Sequence, residues 1–212
     1  MTGAMTDGST FTVLTVCTGN ICRSPFAEQY LRAGLADVPG IELASAGTMA
    51  VDGDLMPDQA VALARSYGAD PSRHRARFLY ERDVSGAGLV LALAREHRRA
   101  VVAMHPRASR TTFTLREFAR LAEALTDEEI TGVVTGLDTV RERLAMAVAH
   151  VGSLRGTVAA AESPLDDDVV DPYRRSDDVF AESGRQLVPA ADQVLRVLRV
   201  AARGGAAWGG AA

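Results

Sequence analysis

The run Phe11-Thr-Val-Leu-Thr-Val-Cys17-Thr-Gly-Asn-Ile-Cys-Arg-Ser-Pro25 constrains this chain more than any other stretch. Its first half is a short strand, with Phe11, Val13, Leu14 and Val16 apolar. Its second half turns at Gly19-Asn20, and a helix follows from about Pro25, a residue suited to a first helical position. A cysteine therefore ends a strand, five residues separate it from Arg23, and a helix begins at once. Backbone N–H groups converging at a helix N-terminus make a cup for an anion. The bare pattern Cys-x5-Arg says little, because 23 of the 212 residues are arginine. The full string says more, since strand, cysteine, Gly-Asn turn, Arg-Ser, proline and helix each meet a separate physical need.

Each residue of the cup brings its own chemistry. Cys17 is the candidate nucleophile; a helix N-terminus, converging amides and a nearby arginine all favour a thiolate. Ser24, on the first helical turn, can donate its hydroxyl to that thiolate. Arg23 has the planar fork that holds two phosphate oxygens at once. Gly19 permits close approach of the backbone, and Asn20 tolerates a left-handed conformation and can pin the loop. Thr18, Ile21 and Cys22 complete the candidate phosphate-binding loop. Attack of a thiolate on a phosphate monoester leaves an alkoxide or phenoxide that needs a proton. The acidic loop holding Asp166, Asp167, Asp168 and Asp171 is the pool of candidate acids. Asp171 stands out because Pro172 holds it extended and so fixes its direction. Tyr173 offers an aromatic wall for a ring-bearing substrate.

Composition narrows the setting. The length suits one ordinary domain, and 47 % hydrophobic with 24 % charged residues is the profile of a soluble globular protein. A net charge of −4 suggests neither a nucleic-acid groove nor a membrane patch. All the basic residues are arginine, which rules out a lysine Schiff base or a Walker lysine. No apolar run approaches the roughly 18–20 residues that span a bilayer. The first ten residues have no basic and apolar signal pattern and are expected to be a disordered lead-in. Only two cysteines occur, Cys17 and Cys22. A free reactive thiol needs a reducing compartment, so the expected location is cytoplasmic.

Along the chain, helical spacing over 25–36 gives way to a strand over 41–46, stopped by Gly47. A loop covers 48–57, and Asp58 opens a helix that ends at Gly68. Residues 70–87 are polar and arginine-rich. Leu89–Leu93 is a continuous apolar run, as in a buried parallel strand. A helix over about 96–103 and a short β-branched strand over 111–115 follow. Strands alternating with helices imply βαβ units and a mostly parallel sheet, with its ligand crevice beyond the carboxyl ends of the strands. Residues 116–163 read as a helical insertion, either core-packing helices or a lid or partner surface, with a capping box at Thr126-Asp-Glu-Glu129. A helix over about 177–202 contains Pro189, so a kink or two helices are expected there. The tail 204–212 is expected to be frayed. The domain proper is therefore 11–203.

The string Cys17 to Pro25, together with Asp171-Pro172-Tyr173 far downstream, closely resembles the low-molecular-weight protein tyrosine phosphatases. Ser45-Ala-Gly-Thr48 and the segment 57–79, with His74-Arg75-Ala76-Arg77, resemble that family too. The resemblance covers about 11–104 and 164–200. It implies an α/β fold with a four-stranded parallel sheet in the order 2-1-3-4 and helices on both faces. It also implies a two-step reaction without metal or cofactor. Cys17 forms a phosphocysteine while Asp171 protonates the leaving group, and Asp171 then activates water to release inorganic phosphate. By the same match, Asn20 and His74 brace the loop, and Cys22 can form a disulfide with Cys17 under oxidant. Relatives acting on phosphoarginine carry threonine where Ile21 stands, so the implied substrate is a phosphotyrosine-containing protein or a small aryl phosphate.

Some positions depart from the pattern. Ala94 stands where many relatives have an aspartate, and Arg174 where some have a second aromatic. The 48–57 loop offers Met49, Leu55 and Met56 but no aromatic residue, so Met49 is left to form that side of the cleft. Two other functions fit the loop. An arsenate reductase would need an external thiol, because no further cysteine lies outside the loop. A phosphoprotein-binding module without turnover would not need the full set of Cys17, Arg23 and Asp171.

Overall fold

A computed structural model describes residues 10–204. Four strands form one sheet in the order β2-β1-β3-β4: β1 Phe11–Cys17, β2 Ile41–Gly47, β3 Leu89–Ala92 and β4 Thr112–Thr114. Every pairing is parallel, with Cys17 opposite Gly47 and Val16 opposite Ala92. This is the expected fold and strand order.

The period-2 alternation of a strand sorts β1 between two cores. Phe11, Val13 and Cys17 face a large cluster with Leu89, Leu91, Phe113 and the inner faces of α1 (Arg23–Gly34), α5 (Leu115–Glu123), α7 (Val140–Ser153) and α8 (Asp177–Arg203). Leu14 and Val16 face a smaller cluster with Val90, Leu79, Val84 and Val101. That second face is covered by α3 (Glu81–Gly86) and α4 (Arg95–Met104). Cys17 therefore lies on the α1 side of the sheet, where the chain must turn to enter that helix.

Several elements differ from the sequence expectation. α1 starts at Arg23 rather than near Pro25, so Arg23 and Ser24 already belong to its first turn. α3 has no counterpart in the sequence pattern. It is six residues long and buries only Val84, too little for a visible stripe, and Asp83 holds it locally by accepting from the Tyr80 N–H. Pro189 does not divide α8, which runs unbroken over 177–203. Its buried positions Phe180, Leu187, Ala190, Ala191, Val194, Val197, Leu198 and Ala201 keep helical spacing on both sides of the proline. Each large apolar side chain buried stabilises by about 1.5–3 kcal/mol, so the stripe outweighs the ~3 kcal/mol cost of an interior proline.

Of residues 116–163, the helical part up to Ser153 is core, not lid. α5, α6 (Asp127–Val134) and α7 supply Phe118, Leu121, Ile130, Val134, Leu144, Val148 and Val151 to the large cluster. All three helices pack on α8. Thr126 caps α6 as expected, accepting from the Glu129 N–H while Glu129 accepts from the Thr126 N–H. Arg155, just after α7, ties this block to β4: it pairs with Glu117, donates to the Ser109 and Thr112 carbonyls, and lies 4.0 Å over the Phe113 ring. The expected disordered ends, 1–10 and 204–212, lie outside the described residues except for Thr10 and Gly204.

Candidate active site

The chain leaves β1 at Cys17 and re-enters regular structure at Arg23, and the loop between is fixed from within. Asn20 is its hub. It takes a left-handed φ of 54°, which asparagine adopts at little cost. Its Nδ2 donates to Ser24 Oγ and Ser45 Oγ, both at 2.9 Å, and its Oδ1 accepts from the Arg77 N–H at 2.9 Å. Its carbonyl meets His74 Nε2 at 2.7 Å. Ser45 in turn donates to Glu28, 2.6 Å away and itself buried. Neighbouring β2 must be bare for the loop to lie so close. A Cβ on Gly47 would stand 2.5 Å from the Thr18 carbonyl and 2.9 Å from the Asn20 nitrogen.

This frame aims donors at Cys17, which is only 3 % exposed. Ser24 Oγ lies 3.0 Å from Sγ, and the Asn20 N–H donates to Sγ at 3.3 Å. No side chain caps the first turn of α1, so its orphan N–H groups remain for an anion at the cup. Burial, with Cys17 beside it, pushes the Cys22 thiol up to about 12, so Cys22 is protonated at neutral pH. Burial also pushes His74 below its ordinary value, leaving it neutral.

The acidic loop sorts its four aspartates by partner. Asp166 accepts from the Ser163 N–H, and Asp167 pairs with Arg120. Asp168 accepts from the Arg95 N–H at 2.7 Å and pairs with the Arg95 guanidinium. It thus caps α4 in place of Ala94, whose side chain cannot. Asp171 alone of the four turns to the cup. Its Oδ2 lies 2.9 Å from Arg23 Nη2, and its Oδ1 accepts from the Tyr173 N–H at 3.1 Å. Arg23 also donates to the Val169 carbonyl at 3.1 Å, so one buried guanidinium joins the two loops.

Between them lies a cavity of about 290 Å³, lined by Cys17, Thr18, Gly19, Ile21, Cys22, Arg23, Met49, Val51, Asp54, Asp171 and Tyr173. The sequence-derived residues Cys17, Arg23, Asp171, Tyr173 and Met49 thus converge on one space. Asn20, Ser24 and His74 stand behind it as supports. Leu55 and Met56 contribute no wall: Met56 is buried in the large core. Sequence reasoning missed Val51 and Asp54 on the wall, Glu28 behind Ser45, and His97. His97, in the first turn of α4, is 2 % exposed and places Nε2 2.8 Å from Thr18 Oγ1. Burial, with Arg23 nearby, pushes it down to about 4. Its one available signal was a histidine on the apolar side of a helix directly after a buried strand.

The family model for low molecular weight phosphotyrosine protein phosphatase matches residues 12–131. The chain belongs to this family. The match takes in the cup, the sheet and α5, so it extends the first stretch of the resemblance past residue 104, and it stops before the second stretch, which holds Asp171. A probable low molecular weight protein-tyrosine-phosphatase, EpsP, of Ralstonia solanacearum is 40 % identical over 106 residues, covering 50 % of this chain and 71 % of that protein. A protein-arginine-phosphatase of Geobacillus stearothermophilus is 35 % identical over 108 residues, covering 51 % and 71 %. The solved low molecular weight protein tyrosine phosphatase of T. tengcongensis superposes with a TM-score of 0.60 at 30 % identity, covering 87 % of this chain and 97 % of that one.

Proposed function

We propose that this protein hydrolyses aryl phosphate monoesters, phosphotyrosine in a protein among them, through a phosphocysteine. The observation that carries this reading is the place of Arg23, buried between the Cys17 loop and Asp171 and hydrogen-bonded to the acid loop. The phosphoryl oxygens take the N–H groups of residues 18–24 and the Arg23 fork. Cys17 Sγ attacks phosphorus, the bond to the aryl oxygen breaks, and Asp171 gives its proton to the leaving phenoxide. In the second step Asp171 takes a proton from water, the oxygen attacks phosphorus, and the thiolate leaves with inorganic phosphate released. Ser24 and the Asn20 N–H hold the sulfur's negative charge before attack and after release. Asn20, Ser24 and His74 keep the loop in that shape, and Tyr173 and Met49 flank the ring.

Specificity rests on the walls. Ile21, Met49, Val51 and Tyr173 give the mouth an apolar lining suited to a phenyl ring. Asp54, on the same lining, favours a second reading, phosphoarginine, whose guanidinium a carboxylate can pair. Turnover of para-nitrophenyl phosphate across pH, with Cys17→Ser as control, tests the chemistry. Matched phosphotyrosine and phosphoarginine peptides then decide the substrate. The rate is expected to rise and then fall with pH, because the first step needs a thiolate to attack and a protonated acid to donate. A rate climbing steadily to pH 9 contradicts Asp171 as the acid.

Cys22 serves as the resolving thiol: peroxide converts Cys17 to its sulfenic acid, and Cys22 displaces water to form a disulfide. A reactive free thiol pair of this kind supports the reading of a reducing compartment, the cytoplasm. Mass spectrometry after mild peroxide checks it, and direct passage of Cys17 to sulfinic acid excludes it.

A further inference from the structure

We propose that His97 positions the Thr18 hydroxyl so that its proton faces the phosphoryl group in the cup. The inference rests on the phosphatase reading of the site and adds a side-chain donor to the backbone ones. Thr18 directly follows the nucleophile and lines the catalytic cavity. Its Oγ1 lies 2.8 Å from His97 Nε2. His97 is buried, and its Nδ1 is buried with no hydrogen-bond partner among the described residues.

The direction of the hydroxyl follows from counting protons. Burial and the nearby Arg23 keep the ring neutral, so it carries a single N–H. With that proton on Nδ1, a buried donor is orphaned, and Thr18 gives its own proton to Nε2. With the proton on Nε2, the orphan is an acceptor, which proteins tolerate more readily than a lone buried N–H. Glu96 Oε1, 3.4 Å from Nε2, further favours a proton there. The second arrangement is therefore the stable one. Nε2–H donates to Thr18 Oγ1, and the hydroxyl proton is left to point into the cavity that Thr18 lines. His97 does not touch the reacting atoms; it acts through Thr18, from a helix that Asp168 anchors to the acid loop.

The test is calorimetric titration of the full chain with inorganic phosphate, alongside turnover of para-nitrophenyl phosphate. Thr18→Val removes the hydroxyl, and His97→Leu removes the group that aims it. Each is expected to weaken phosphate binding about tenfold, the loss of one hydrogen bond to a charged group. Their combination is expected to be no weaker than either alone, because both remove the same contact. Thr18→Ser, and His97→Gln, whose amide nitrogen reaches the place of Nε2, are expected to stay within about threefold of wild type, a span well below that loss. Should His97→Leu fail to fold, His97→Asn serves, since its amide is too short to reach Thr18. Unchanged phosphate affinity in Thr18→Val overturns the proposal, as does loss in Thr18→Val with none in the His97 variants, or additive losses in the double variant. Wild type that binds phosphate without turnover ends the phosphatase reading yet leaves this comparison decisive. Wild type that binds no phosphate ends both.

Discussion

The loop from Cys17 to Ser24 and the loop from Pro164 to Ser176 supply opposite halves of one cavity by opposite means. The first is braced by hydrogen bonds among buried groups, Asn20, Ser24, Ser45 and His74, with the Glu28 carboxylate behind Ser45. The second is held by ion pairs that water can reach: Arg95 to Asp168 and Arg120 to Asp167, with donors 39 % and 26 % exposed. Its acid, Asp171, is itself 52 % exposed. A buried network fixes a shape that salt screens little. A half-exposed ionic clamp is weaker and salt-sensitive. The difference matches the work each half does. In the proposed mechanism the cup holds the same oxygens through both chemical steps, whereas Asp171 meets a leaving oxygen, then a water.

The largest effect that bears on this division is loss of the nucleophile. Cys17→Ser keeps the cup but replaces the thiolate, and turnover of para-nitrophenyl phosphate is expected to fall by roughly 10⁴-fold or more. Phosphate should still bind. Asp171→Asn comes next, with kcat reduced about 10²–10³-fold, the usual worth of a general acid. That loss should grow as the leaving phenol becomes less acidic, which a series of substituted phenyl phosphates measures. A loss independent of the phenol would mean that Asp171 only shapes the site.

The third effect concerns the cup's surroundings and is read in stability. His97 is held at about 4 in the fold against an ordinary value near 6.5. A histidine depressed in this way binds its proton more readily in the unfolded chain. Its contribution is therefore complete above pH 6.5 and lost as pH falls from there towards 4, amounting to roughly 3 kcal/mol. His74, also depressed by burial, acts in the same direction. Urea unfolding at pH 7.5 and pH 4.5 is expected to show this loss in wild type and a clearly smaller one in His97→Gln. Equal losses would mean that His97 is not buried neutral.

The two halves were unequally legible in the sequence. The cup and the candidate acid Asp171 could be named because each depends on local pattern, Gly-Asn for the turn and Pro172 after the acid, whereas the strand order came only with the family resemblance. What escaped depends on contacts between distant segments. His97 meets Thr18, and Glu28 meets Ser45, only once β3 and β2 flank β1. Asp168 stood in the sequence as one more candidate acid, and nothing local says that it caps α4 across the fold. Pro189 misled for the converse reason, since a local rule was overridden by the packing of α8 on five helices.

Asp168→Ala gives the smallest effect and the sharpest cut between the two halves. Asp168 holds the N-terminus of α4 through the Arg95 N–H and guanidinium, and its carbonyl is held by Arg116. Removing the carboxylate leaves the Arg116 bond, the Val169 N–H to the Leu93 carbonyl and the Arg23 bond to the Val169 carbonyl in place. The acid loop should loosen without detaching. A half-exposed ion pair contributes about 1 kcal/mol or less, and the capping bond about as much again. The expected result is a fall in kcat of about thirtyfold at most. Inhibition by inorganic phosphate should not change, because every contact within the cup is intact. Raising the salt concentration should bring wild type towards the variant in kcat and leave phosphate inhibition of both shifted alike. If kcat and phosphate affinity fall together in Asp168→Ala, the clamp and the cup are one mechanical unit, and the division between a fixed receptor and an adjustable acid does not hold.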